Sequence, residues 1–305
     1  MVIHDRSYSR WDGDKTSGPR PWWVILDRGV LTGLSQLFKR KLFAQAFCLA
    51  AYGPFLAGVG LLYANFFFST NLDFANEARQ LQEGGLLDLV TPSGDTAFFY
   101  LFFIQKWFAL VLCVIVGAGL IAEDRRTNAL EIYLSRPVLV VEYLLAKASI
   151  LGFFIAMVTV VPAVILILVH MALTDPADMV MGEQLGLMGW VVLAGGLAGL
   201  VLSLLVLTAS SLSQRARSAS ISFVAFLVLF EGVIGGMVRE IFRNDALKAL
   251  SIEFNVGQCM AWLLDSPANF DETVPVGTSA TVLAVLVVVC LAIIRRRIRP
   301  VEIVA

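Results

Sequence analysis

Six apolar blocks of about 20 residues constrain this chain more than any other feature of its sequence. That length is what an α-helix needs to cross a hydrocarbon core about 30 Å thick. Helices are required because each backbone amide in lipid needs a partner within its own segment, and the alternating pattern of barrel strands is absent. We therefore predict an all-α, polytopic membrane protein with six transmembrane helices. The predicted spans are Leu42–Ala64, Phe98–Ala122, Ala148–Met171, Gly186–Ser211, Ala219–Val238 and Gly277–Ile294.

The composition agrees with this class of protein. Apolar residues make up 58% of the chain and charged residues 15%, against about 45–50% and about 25% in soluble domains. The first 41 residues are polar and basic. A cleaved signal peptide would instead have a short apolar core close to the N-terminus, so none is expected here. We expect four parts: a cytoplasmic tail (1–21), an interfacial amphipathic helix (22–41), a six-helix transmembrane domain (42–294) and a basic cytoplasmic tail (295–305).

The basic residues predict the orientation of the spans. Of the 23 Lys and Arg, 18 fall in the two tails and in the connections 123–147 and 212–218. The other three connections hold four in all, and the remaining one, Lys106, lies inside the second span. Because basic loops stay in the cytoplasm, both termini are predicted to be cytoplasmic. The expected location is the plasma membrane, which is the inner membrane in a Gram-negative bacterium.

Two helical elements are predicted outside the spans. Apolar residues from Trp23 to Leu37 recur at three- to four-residue steps, with two tryptophans at one end and a Lys-Arg-Lys cluster at the other. This pattern fits a helix lying in the membrane interface, and it also fits an amphipathic linker helix packed on protein. The long outer connection Arg239–Val276 has apolar residues at helical spacing, so one or two short helices are expected there.

The connection between the second and third spans carries the functional signal. We predict a short cytoplasmic helix over Glu123–Pro137, with Glu123 and Asp124 near its N-terminal end, where the helix dipole favours negative charge. Pro137 stops it, because the residue before a proline is pushed out of the helical region. A cytoplasmic helix with an apolar face and charged edges is a docking surface. That face consists of Leu130, Tyr133 and Leu134.

These residues resemble a known family. The run Ala-Leu-Glu-Ile-Tyr-Leu-Ser-Arg-Pro at 129–137, followed by Glu-Tyr-Leu-Leu-Ala-Lys at 142–147, is similar to the cytoplasmic signature of permease subunits of ABC-2-type ABC transporters. The family's usual Gly-Thr pair is replaced here by Thr127-Asn128-Ala129. The connection 210–218, with Arg215 and Arg217, resembles the family's second cytoplasmic loop.

The resemblance implies a permease subunit of an ATP-driven exporter. The Glu123–Pro137 helix would be the coupling helix that inserts into a separate ATPase subunit. The expected partners are two ATPase copies that bind ATP and Mg, a second permease copy (identical or different), the lipid bilayer, and accessory periplasmic or extracellular proteins, but no nucleic acid. The residues matching the contact positions are Glu123, Asp124, Arg125, Arg126, Leu130, Glu131, Leu134 and Arg136.

This chain is not expected to be an enzyme or to bind a cofactor or metal itself. It has no Gly-x4-Gly-Lys-Ser/Thr sequence, and so no loop that would cradle the phosphates of ATP. Two alternatives stay open. One is an ion-driven secondary transporter, and the other is a membrane-embedded enzyme that uses Glu231 or His170.

Two ionisable residues inside the spans are candidates for the transport pathway. Glu231 lies in the fifth span, where a charge costs about 2.5 kcal/mol or more, so it is expected to face the bundle or a cavity. It serves either the pathway or a structural hydrogen bond to a neighbouring helix. Lys106 either contributes an intramembrane charge or extends its stem to reach the membrane surface.

Overall fold

The computed structural model describes residues 21–39, 41–70, 94–129, 140–173, 181–238, 241, 245–266 and 273–298. Within these ranges the chain is helical and contains no strand. Two π-helical segments (Cys113–Gly117 and Val228–Val238) and a 3-10 helix (Asp245–Leu250) accompany the α-helices. The α-helices are α1 (Pro21–Phe38), α2 (Lys41–Thr70), α3 (Gly94–Leu112), α4 (Gly119–Arg126), α5 (Val140–Val158), α6 (Val160–Leu173), α7 (Met181–Leu212), α8 (Ala216–Leu227), α9 (Ile252–Leu263) and α10 (Val276–Arg297).

Six helical stretches of the described chain are long and apolar enough to cross a membrane, so the predicted all-α polytopic fold is confirmed. The second stretch joins α3 to α4, the third joins α5 to α6, and the fifth continues from α8 into the π-helical segment. The stretches are Lys41–Gly60, Leu101–Arg126, Val140–Leu173, Met181–Leu212, Ala216–Val233 and Val276–Arg297.

Helix α7 occupies the centre of the bundle. It packs against α4, α5, α6, α8, α9 and α10, and 56% of its most apolar window is buried. The first and fifth spans lie at the periphery, since only 11% of the corresponding window is buried in each. Their apolar side chains therefore remain available to lipid or to another chain.

Helix α1 packs on the third span through glycines. A Cβ atom built on Gly29 would lie 2.1 Å from Cδ1 of Ile150, and one on Gly33 would lie 2.7 Å from the ring of Phe154. Only the absence of side chains at these two positions lets α1 approach α5 so closely. Leu31, on the opposite side, is 52% exposed. One face of α1 is therefore packed on protein and the other is open.

The third span is interrupted near a proline. Pro162 lacks the N–H that would bond to the carbonyl four residues earlier, at Val158, so the helix is interrupted there. The interruption falls at Thr159, between α5 and α6. The Thr159 hydroxyl donates to the Ile155 carbonyl at 2.9 Å.

Candidate functional site

The structure brings the two predicted cytoplasmic segments together in one cleft. The cleft has a volume of about 750 Å³ and lies where the second and fourth spans end and the fifth begins. It contains five of the residues expected from the sequence to contact an ATPase or to form the second loop. Its lining residues are Glu123, Arg125, Arg126, Gln214, Arg215, Ala216 and Arg217.

Asp124, beside the cleft, is tied to the third span. Its Oδ2 atom lies 2.7 Å from Nζ of Lys147 and accepts a hydrogen bond of 2.7 Å from the hydroxyl of Tyr143. Tyr143 is fully buried, and the Lys147 side chain is only 8% exposed. A buried ion pair with an additional hydrogen bond fixes the relative positions of the two helices, because separating the charges would leave each one poorly solvated.

The end of the second span is also tied to the fourth span, through Ser210. The π-helical turn shifts the hydrogen-bond register, so that Ala118 N–H donates to the Cys113 carbonyl at 3.0 Å. The first N–H groups of the helix that follows then need external acceptors. The buried Ser210 hydroxyl accepts from the N–H groups of Ile121 (3.0 Å) and Ala122 (2.9 Å) and donates to the Ala118 carbonyl at 2.8 Å.

Arg125 adds a second contact to the same end of the fourth span. Its guanidinium donates to the backbone carbonyl of Ser211, which lies in the last turn of α7. A carbonyl there has no intrahelical donor, and a cation next to a helix C-terminus is favourable. On the exposed side of the cleft, Arg126 pairs with Glu123. The described part of the coupling segment is therefore anchored on both neighbouring spans.

The structure corrects where the predicted coupling helix begins. Glu123 and Asp124 lie near the C-terminal end of α4, which continues the second span, so the prediction that they start a separate helix is wrong. The helix ends because Asn128 adopts a left-handed conformation, with φ of 54°. Asparagine tolerates this conformation, because its short polar side chain can hydrogen-bond locally. Leu130, Glu131, Leu134 and Arg136 lie outside the described residues.

The intramembrane charges belong to a different part of the molecule. The Glu231 carboxylate accepts hydrogen bonds from the Ser251 hydroxyl and from the backbone N–H of Glu253 at 2.9 Å. It therefore caps the N-terminal end of α9. This contact corresponds to the second role suggested by the sequence, a structural hydrogen bond to a neighbouring helix. Lys106 pairs with the Glu253 side chain and lies over the Phe103 ring, 3.6 Å from its centroid.

Sequence reasoning missed the residues that anchor the cleft. Lys147 and Tyr143 lie within the signature run, but the sequence did not indicate that they would meet Asp124. Ser210 is one of three serines in the long apolar helix α7. Nothing in the surrounding sequence indicates that this serine, rather than the others, bonds to another helix. These contacts join residues as many as 92 positions apart, so they depend on how the helices pack.

Fold and cleft together define an integral membrane protein with six apolar helices and a basic surface at one end of the bundle. Neither the protein-family models nor the curated proteins compared with this chain give a match.

Proposed function

We propose that this chain is the permease subunit of an ABC-2-type exporter, and that the segment after Asn128 couples it to a separate ATPase. One observation carries the proposal. The two segments that resemble ATPase-facing loops of that family converge on a single cleft, although about 90 residues separate them. The residues at 129–147 carry the family resemblance, and the cleft supports it because both resembling segments contribute to its lining.

The contacts around the cleft fit the transmission of force. The coupling segment follows directly on α4, which is held to the third span by Asp124 and Lys147 and to the fourth span by Ser210. A displacement of the segment would therefore move three spans together rather than bend one loop. Rigid-body motion of packed helices is an established way to open and close a membrane pathway.

The proposed assembly contains two copies of a permease chain and two ATPase subunits. The ATPases bind ATP and Mg, hydrolyse the ATP, and lie on the cytoplasmic side with both permease termini. The substrate pathway runs along the interface between the permeases, near the first, second and fifth spans. The low burial of the first and fifth spans supports this placement, since a second copy would cover part of their apolar surface.

Copurification and transport test the proposal. The tagged chain is purified from membranes of its native host and is expected to bring down an ATPase subunit whose ATP hydrolysis depends on the complex. Replacing Leu130 and Leu134 with Asp is expected to abolish capture and transport, because the docking surface loses its apolar face. The matched control replaces Ile241 and Leu250 with Asp, since both are exposed and lie in the outer connection.

Two results would contradict the proposal. The first is normal capture and ATP-dependent transport by the Leu130 and Leu134 double variant. The second is substrate movement by the purified chain alone, driven by an ion gradient, which would favour the secondary-transporter alternative. Membrane insertion and thermal stability of each variant are measured first, so that a folding defect is recognised as such.

A further inference from the structure

The charges in the cleft are unbalanced. Four arginines and one glutamate line it, which leaves a net charge of about +3. The single carboxylate pairs with Arg126, while Arg125 donates to a backbone carbonyl, which neutralises no charge. Arg215 and Arg217 are exposed and make no ion pair with any residue in the described part of the chain. The cleft therefore has two guanidinium groups available for an anion.

The position of the cleft limits which anion it meets. The second span ends and the fifth begins at lining residues of the cleft, and the fourth ends two residues before Gln214. The cleft therefore lies at the boundary between hydrocarbon and water. Arg217 lies at the top of one face of α8, and Ile221, Val224 and Val228 follow it at steps of four, three and four residues. These three side chains are 70%, 44% and 61% exposed, so they form an open apolar stripe that descends from the arginine into the membrane region.

We propose that this cleft binds the phosphate headgroup of an anionic membrane lipid, with an acyl chain lying along the stripe below Arg217. Guanidinium groups match phosphate oxygens through paired, charge-assisted hydrogen bonds. An acidic protein segment would satisfy the arginines equally well, but it would leave the apolar stripe without a matching group. A phospholipid has both parts in the required order, because its charged headgroup is joined directly to its acyl chains.

The site adds to the proposed function without resting on it. A lipid phosphate held by Arg215 and Arg217 at the start of the fifth span would lie in the same cleft as Arg126 of the second span, at the surface of the coupling segment. Glu123 opposes this binding, because its carboxylate lies in the same cleft and occupies Arg126. Replacing Glu123 with glutamine should therefore strengthen lipid binding, which a loss of protein stability would not do.

Lipid retention by the purified chain, without any ATPase, tests the site. Variants are reconstituted in vesicles of phosphatidylcholine with phosphatidylglycerol, extracted in mild detergent, and examined by native mass spectrometry. The double variant R215Q/R217Q is expected to lose phosphatidylglycerol affinity by at least about tenfold, as when a charge-assisted hydrogen bond is removed. E123Q is expected to bind more tightly than the unmodified chain.

The matched control is R295Q/R296Q, which removes two exposed arginines from the last turn of α10, outside the cleft lining. An equal loss in both double variants would overturn the site, because it would indicate only a general attraction of basic residues to anionic lipid. Inorganic phosphate that displaces the lipid at millimolar concentration would assign the cleft to a free anion instead. Normal lipid retention in R215Q/R217Q would also overturn the site. If the same variant then failed to capture an ATPase in the separate copurification from native membranes, the cleft would be assigned to a protein partner.

Discussion

Replacing Ser210 with alanine should weaken the junction between the second and fourth spans. Its hydroxyl makes three hydrogen bonds to the backbone at Ala118, Ile121 and Ala122, all in the buried core. Interhelical side-chain hydrogen bonds in membrane proteins average about 0.6 kcal/mol, so three give about 2 kcal/mol. Because the variant also leaves buried N–H groups without this acceptor, we expect a loss of about 2 to 4 kcal/mol in the free energy of unfolding.

The matched control is Ser203→Ala in the same helix. Ser203 is also buried, but its hydroxyl has no hydrogen-bond partner among the described residues, so its removal should change the free energy of unfolding by less than about 0.5 kcal/mol. Unfolding of the purified protein in mixed micelles, driven by an increasing fraction of SDS and followed by circular dichroism, measures both variants. If Ser210→Ala costs no more than Ser203→Ala, the hydroxyl does not hold the second span, and the account of α4 is wrong.

Three further measurements test other contacts. Asp124→Asn should cost about 3 kcal/mol in the same assay, because it leaves the buried Lys147 ammonium without its counter-charge; a loss below about 1 kcal/mol would contradict the pair. Gly29→Ala should cost about 1 to 3 kcal/mol by overpacking α1 against the third span, whereas Gly53→Ala, with nothing within 4 Å, should not destabilise. Burial raises the pKa of the Cys259 thiol, so maleimide labelling of this cysteine at neutral pH should be slower in the folded than in the SDS-denatured chain and should accelerate as pH rises; equal rates would show that the thiol is accessible.

Much of the fold could be predicted because the signals involved are local. Each span is a sum of transfer free energies over about 20 neighbouring residues, which the sequence gives directly. The same holds for α1, whose apolar residues repeat with the helical period. The boundary of α4 was not predictable in this way. It depends on Asn128 adopting a left-handed conformation and on Ser210 supplying an acceptor from another helix.

The sequence indicates the charged residues that line the cleft but not their arrangement. The sequence points to two pairs of arginines, because each pair lies in a connection that resembles the same family: Arg125 and Arg126, and Arg215 and Arg217. Nothing in their spacing indicated that they would line one cleft, since that depends on the crossing of α4, α7 and α8. The sequence shows Glu231 as an intramembrane charge, but its role as a cap on α9 depends on where the fold places Ser251.

Local composition alone predicts the six spans of this membrane protein and the concentration of its basic residues in the two tails and two of the connections. Both properties follow from the composition of short segments, because lipid excludes unpaired backbone groups and charged side chains wherever the segment lies in the fold. Which charges meet depends instead on how the helices pack. Asp124 finds Lys147, and the two basic connections share one cleft, because the helices that carry them pack side by side in the bundle.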